Sequence, residues 1–181
     1  MADGMDGRVA IVTGGGTGIG AAVVRRLAGQ GVRCVINYAS SREDAEALAA
    51  EVANGSIAVQ ADVAEDAGCI ALAEAAMATF GRIDFLVNNA GKTKFANHED
   101  LDALSGDDFL DLYRLNVVGP FQMVRACRAG LEASDAGAVV NIASVAGLYG
   151  IGSSLAYAGT KAAMTTMTLG LARVLAPQIR V

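Results

Sequence analysis

The sequence predicts an α/β fold, a doubly wound parallel sheet with helices on both faces. Two observations carry the prediction. Short apolar runs alternate with longer stretches of helical periodicity, the pattern of strand–helix–strand units. The first run, Arg8 to Val12, breaks into Gly14, Gly15, Gly16, Gly18 and Gly20 before a helical pattern begins at Ala21. Strand, glycine turn and helix in that order form a phosphate-binding context, because the helix N-terminus offers free N–H groups and a positive dipole end.

The elements follow in order. The first strand is expected over 8–13 and the first helix over 18–30, closing at Gly31. A strand over 33–38 precedes a helix over about 42–53 that ends near Asn54-Gly55. The third strand, 56–61, leads to a helix over about 66–80 that stops at Gly81. A strand over 84–87 is followed by one long helix from about 105 to 132. The fifth strand is 138–143, and a last helix carries Tyr157 and Lys161 to about 175, where Pro177 ends it. Ile179-Arg180-Val181 reads as the start of a sixth strand. The 181 residues form a single domain, 1–181, with no internal linkers or repeats, and the expectation is that it is incomplete at its C-terminus.

Composition excludes several classes of function. Hydrophobic residues make up 53% and charged residues 18%, which suits a globular core rather than a disordered chain. The formal net charge is −5, and no basic cluster offers a footprint for nucleic acid. No apolar stretch reaches membrane-helix length, and the N-terminus lacks the cationic start and apolar core of a secretion signal. Cys34, Cys69 and Cys127 are odd in number and scattered, which suggests buried thiols in a reducing cytoplasm. No His, Cys and carboxylate cluster suggests a metal, and His98 reads as an exposed loop residue.

The chemistry centres on Tyr157-Ala158-Gly159-Thr160-Lys161. On a helix, residues four apart share a face. A cation beside a phenol favours the phenolate, so such a tyrosine can exchange a proton with a substrate oxygen near neutral pH. Ser144, at the exit of the apolar run Val139–Ala143, can hold that oxygen. A Y-x-x-x-K pair fits many amphipathic helices and means chemistry only in company. The company is the glycine turn together with Asn88-Asn89-Ala90-Gly91 and Asn116, all in order along the chain.

With these motifs the chain, from about Gly7 to its last residue, resembles the short-chain dehydrogenase/reductase family, and within it the 3-oxoacyl-carrier-protein reductases and their look-alikes. The resemblance implies a Rossmann-like fold and hydride transfer between a nicotinamide cofactor and a carbonyl or alcohol. By resemblance Tyr157 is the general acid for reduction, Lys161 tunes it and bonds the nicotinamide ribose, and Ser144 positions the carbonyl. Asn116 would hold a water that connects Lys161 to solvent. Gly14, Thr17, Gly18, Ile19 and Gly20 frame the cofactor, with Asp62 and Val63 at the adenine and Asn89, Ala90 and Gly91 beside its ribose. Asp62 could equally cap the following helix.

The second strand ends Asn37-Tyr38-Ala39-Ser40-Ser41-Arg42, with no carboxylate to bond a ribose 2′-hydroxyl. Asn37, Ser41 and Arg42 would welcome a 2′-phosphate, so NADP is preferred over NAD. Against this stand Glu43 and Asp44 nearby, and Thr17 where many NADP-using relatives carry arginine. Leu148, Tyr149, Gly150, Ile151, Gly152 and Leu155 are expected along one wall of an apolar substrate pocket, and Thr93, Lys94 and Phe95 along another. Lys92 and Lys94 could draw in an anionic group.

The resemblance also implies a homodimer or homotetramer built on the long helix and the Tyr157 helix. Leu112, Leu115, Val118, Phe121 and Val124 would permit it. The family's further strands and substrate loop lie beyond the last residue, so the alternative is a non-catalytic remnant that binds nucleotide or a full-length partner. An isomerase or epimerase reading shares the tyrosine chemistry, and the TG-x-x-x-G-x-G spacing counts against it.

Overall fold

Short runs of β-branched and aliphatic residues make five strands, as expected of segments buried on both faces. They are β1 (Val9–Val12), β2 (Arg33–Tyr38), β3 (Ile57–Gln60), β4 (Phe85–Asn88) and β5 (Ala138–Asn141). The computed structural model, which describes residues 4–181, pairs them in parallel in the order β3-β2-β1-β4-β5. The chain therefore winds outward from β1 to β3, then crosses back over β1 to β4 and β5. That reversal opens a crevice at the carboxyl ends of β1 and β4, where ligands bind in such sheets. Register sharpens it: Val12 pairs with both Ile36 and Val87, so the glycine turn and the Asn88-Asn89 loop leave the sheet at one level.

Alternation along β1 assigns the two faces. Ala10 and Val12 pack with Ala21 and Val24 of α1 (Gly18–Ala28) and with Ala45 and Leu48 of α2 (Arg42–Val52). Ile11 packs on the other face with α3 (Asp66–Phe80), and there the core extends to the later helices through Met123 and Leu171.

The single long helix expected from 105 to 132 is three pieces. They are α4 (Gly106–Tyr113), a π-helical turn (Arg114–Val118) and α5 (Gly119–Ala133). Two features force the break. Pro120 has no N–H to donate to the carbonyl of Asn116 four residues back. Gly119 lies so close to the next segment that a Cβ there would meet the Val63 carbonyl at 2.6 Å. A π-turn, with the Gly119 N–H donating to the Arg114 carbonyl, absorbs the sideways shift.

Two short elements were absent from the expectation, a 3₁₀ turn (Leu101–Ala103) and α6 (Ala146–Tyr149). α7 runs Leu155–Leu175, and Ala176, before Pro177, is extended, as a residue preceding proline prefers. Of the expected sixth strand, Arg180 alone pairs, in a parallel bridge to Ala138.

At the opposite end of the sheet Asp84 is fully buried. It accepts hydrogen bonds from the Val9 N–H at 2.8 Å, Ser134 Oγ at 2.6 Å and Arg82 at 2.6 and 2.8 Å. Burial alone would push this carboxyl up, but Arg82, Ser134 and Val9 together hold it below the ordinary range.

Candidate active site

The glycine turn leaves β1 with Gly14 at φ 59° and Gly18 at φ 52°, a left-handed backbone that side chains resist. Gly20 is needed for a different reason. A Cβ there would meet the Gly14 carbonyl at 2.3 Å and Asn89 Nδ2 at 2.6 Å. α1 thus starts hard against the turn, and no side chain caps its first N–H groups. Exposed helix-start donors beside a glycine cradle fit a pyrophosphate.

Thr13 and Asn89 lock the two loops together. Thr13 Oγ1 accepts from the Asn89 and Ala90 N–H groups, both at 3.0 Å. Asn89 Nδ2 donates to the Thr13 and Gly14 carbonyls at 2.9 and 3.0 Å. Thr13 stands in the sequence only as the residue before the glycines; the structure gives its hydroxyl this locking role.

A cleft of about 400 Å³ follows this turn. Of the residues expected to hold a cofactor, Gly14, Thr17, Gly18, Ile19, Asn37, Asp62, Val63, Asn89, Ala90 and Gly91 line it. Gly20, Ser41 and Arg42 do not. Asn37 is spent on the fold: its Oδ1 accepts from the Gly14 N–H at 3.1 Å and its Nδ2 donates to the Ala61 carbonyl at 2.9 Å. Asp62 accepts from the Ala64 N–H at 2.9 Å, and the residue at the cap position of α3 is Glu65. Arg42 is an exposed side chain beside Tyr38, 3.6 Å from Glu46 and 3.4 Å from Gln60. Gln60 in turn donates to the carbonyl of Ala39, a lining residue of the cleft.

A second cavity of about 470 Å³ continues from the first. Ile19, Asn89 and Gly91 line both, so the first cleft opens directly onto Ser144, Tyr157 and Lys161. Lys161 is 4% exposed, its Nζ donates to the Ile142 carbonyl at 2.7 Å and lies 5.8 Å from the Tyr157 ring centre. Burial lowers its pKa from the ordinary lysine value. Ser144 Oγ accepts from the Ala146 N–H at 3.2 Å, which leaves its own hydrogen free to donate. Ser154, fully buried, caps α7 by accepting from the Tyr157 N–H at 3.2 Å. A serine three residues before the tyrosine is a cap signal legible in the sequence.

Asn116 is fully buried beside these groups. Its Oδ1 accepts from the Lys92 N–H at 3.0 Å, and its Nδ2 donates to the Lys92 carbonyl at 2.9 Å and to Thr160 Oγ1 at 3.1 Å.

The expected substrate walls are redistributed. Thr93 and Phe95 line the cavity with Ser153, whose hydroxyl contacts that of Thr93. Leu148, Tyr149, Ile151 and Leu155 are exposed and lie outside the lining. Lys92 and Lys94 are already paired, with Asp111 at 2.6 Å and Asp108 at 2.7 Å. Lys94 and Ser105 hold the Asp108 carboxyl down at about 2. His98 is half-buried, 3.2 Å from the Gly152 carbonyl, and ties the two flanking loops together. Cys34, Cys69 and Cys127 are free and buried, as expected. Among the described residues no cluster could hold a metal ion, and no helix is long and apolar enough to cross a membrane.

This arrangement has relatives. The family model described as short chain dehydrogenase matches residues 8–181. A ketoacyl reductase of the granaticin polyketide synthase of Streptomyces violaceoruber is 40% identical over 179 residues, covering 99% of this chain and 72% of that protein. A 3-oxoacyl-[acyl-carrier-protein] reductase of Staphylococcus aureus is 35% identical over 170 residues, 92% of this chain and 68% of that protein. The crystal structure of a short-chain dehydrogenase/reductase from Burkholderia xenovorans superposes with a TM-score of 0.92 at 39% identity, over 96% of this chain and 74% of that one.

Proposed function

The chain belongs to the short chain dehydrogenase family, and from that premise we propose an NADP-dependent carbonyl reductase with 3-oxoacyl thioesters as its substrate class. One observation carries the reading: a cleft that fits a dinucleotide opens, through Ile19, Asn89 and Gly91, onto a cavity that holds Ser144, Tyr157 and Lys161 together. The substrate class is supported by the ketoacyl and 3-oxoacyl reductases to which the chain is similar.

A bound nicotinamide supplies the hydride. The protein's part is proton transfer and orientation. Ser144 donates its free hydroxyl hydrogen to the substrate oxygen and fixes it in the cavity. Tyr157 passes its phenolic proton to the same oxygen. Lys161 Nζ, 5.8 Å from the ring centre, sets a positive charge beside the tyrosine. Both side-chain nitrogen hydrogens of Asn116 and its oxygen are engaged. A proton-resupplying water would therefore rest on its carbonyl, which Pro120 leaves without its usual helical donor.

NADP rather than NAD is favoured by the end of β2, where no carboxylate stands and Arg42 reaches Gln60 beside the cleft. Of the residues expected to build an oligomer, Leu112 and Val124 are buried in the core and Phe121 is exposed. Phe109, Leu110, Tyr113 and Phe121 on α4 and α5, with Leu169 and Val174 on α7, offer the apolar surface for a homodimer or homotetramer.

The deciding experiment is Tyr157→Phe. Its turnover of an acetoacetyl thioester with NADPH should fall by about 10²–10⁴ with NADPH affinity retained. Full activity in that variant would sink the assignment.

A further inference from the structure

Thr160 sits between the tyrosine and the lysine and faces neither cavity. It is 2% exposed. Its Oγ1 donates to the Tyr157 carbonyl at 2.7 Å and accepts from Asn116 Nδ2 at 3.1 Å. Asn116 holds the Lys92 backbone through its other two bonds. Four groups on three segments are thus joined in one line: the loop after β4, the π-turn, and the first turns of α7. Lys92 and Tyr157, at the two ends of this line, both border the substrate cavity, as does Lys161, the residue after Thr160.

The line has one direction. Thr160 has a single hydrogen, spent on Tyr157, so it must accept from Asn116. That requires Nδ2 to face Thr160, which fixes Oδ1 toward the Lys92 N–H. A reversed amide would set oxygen against the Lys92 carbonyl and nitrogen against its N–H. Every buried polar atom is satisfied in one arrangement only, and such networks specify geometry as well as stability.

We infer that Thr160 is a positioning residue for the Tyr157–Lys161 pair, holding that turn of α7 against Asn116 and the Lys92 loop. The inference rests on the proposed role of Tyr157 as proton donor. Thr160 touches no reacting atom. Its removal frees the turn to drift, and a small misplacement of a proton donor is costly to rate.

Thr168 provides an internal control. It makes the same two kinds of bond two turns further along α7, donating to the Met164 carbonyl at 2.8 Å and accepting from Asn141 Nδ2 at 2.8 Å. A loss of helix bonding in general would be shared by both threonines.

The test compares Thr160→Val, Thr160→Ser, Thr160→Cys and Thr168→Val in the full-length protein. Two readouts are taken. One is kcat and KM for an acetoacetyl thioester with NADPH across pH. The other needs no turnover: the near-ultraviolet tyrosinate absorbance of the ligand-free protein, with the Tyr157 step identified as the one that Tyr157→Phe removes. Thr160→Val is expected to lower kcat about ten-fold or more with KM within about two-fold, and to move both the pH profile and the Tyr157 step. Thr160→Ser should restore both, Thr160→Cys should fall between, and Thr168→Val should keep wild-type values. Coincident profiles and steps in Thr160→Val and wild type overturn the inference, as does an equal shift in Thr168→Val. If Thr160→Val does not fold, a Thr160→Cys protein with wild-type profile and step overturns it instead. A wild type inert toward the thioester with NADPH would count against the reductase reading, and the absorbance step would then decide the role of Thr160 alone.

Discussion

Lys161 Nζ donates to the Ile142 carbonyl at 2.7 Å, although only 4% of the residue is exposed. The bond draws the ammonium out of α7 toward the end of β5, beside Ser144. It also keeps a charge in a poorly solvated place, and burial lowers the lysine's pKa.

That cost is testable as a pH dependence. Below the folded-state value the buried charge penalises folding in full. The penalty is relieved as pH rises from that value toward the ordinary 10.5, because there the unfolded chain binds more protons than the folded one. Lys161→Met lacks this titration. It should be inactive, yet within about 1 kcal/mol of wild-type stability at neutral pH, since a removed buried charge offsets a lost hydrogen bond. Denaturant melts should show wild type gaining on the variant as the medium turns alkaline. A pH-independent gap would refute the account.

Gly18 and Gly20 should respond differently to alanine. At Gly20 the new Cβ would lie 2.3 Å from the Gly14 carbonyl, so the turn must move. NADPH affinity, followed by its fluorescence, should drop about 100-fold, with roughly 1–3 kcal/mol lost in stability. At Gly18 the space is open and the penalty is the left-handed backbone alone, about 1–2 kcal/mol. Equal losses at both positions would refute the distinction.

Arg42→Ala should reduce the preference for NADPH over NADH by about 10- to 100-fold, the worth of one or two charge-assisted bonds. Gln60→Ala should give a smaller loss of the same sign, because Gln60 contacts the guanidinium without any charge of its own. Kd ratios for the two nucleotides measure both. Unchanged ratios would mean that Arg42 is a solvated surface residue.

Asp84→Ala should cost about 1–3 kcal/mol, since the Val9 N–H and the Ser134 hydroxyl lose their buried acceptor while Arg82 stays partly solvated. The carboxyl is held below its ordinary value, so its contribution is present above pH 3.8 and disappears as pH falls through the folded-state value. Acid melts of wild type should therefore lose this increment where Asp84→Asn shows no corresponding step.

The strands and most helices were legible because local pattern decides them. Five apolar runs, Gly31, Gly81 and Pro177 mark elements with little help from elsewhere. The candidate catalytic pair was legible as a pair for the same reason, since Tyr157 and Lys161 need only helical spacing to face one way. Where the reading failed, distant segments made the choice. Pro120 was a local sign of a break in the long helix, but the close approach of Gly119 to the Val63 carbonyl, which shifts the chain sideways there, is set by a segment far away in sequence. Leu148, Tyr149 and Ile151 have the position of a pocket wall, but α6 and the residues after it leave their side chains exposed. Lys92 and Lys94 looked free until the fold brought Asp111 and Asp108 beside them. The sequence by itself determined the elements, their order and the residues capable of the chemistry, because spacing and backbone preference act over a few residues. The tertiary structure decided which polar groups spend their hydrogen bonds on the fold and which are left for a ligand, because those partners lie tens of residues apart along the chain.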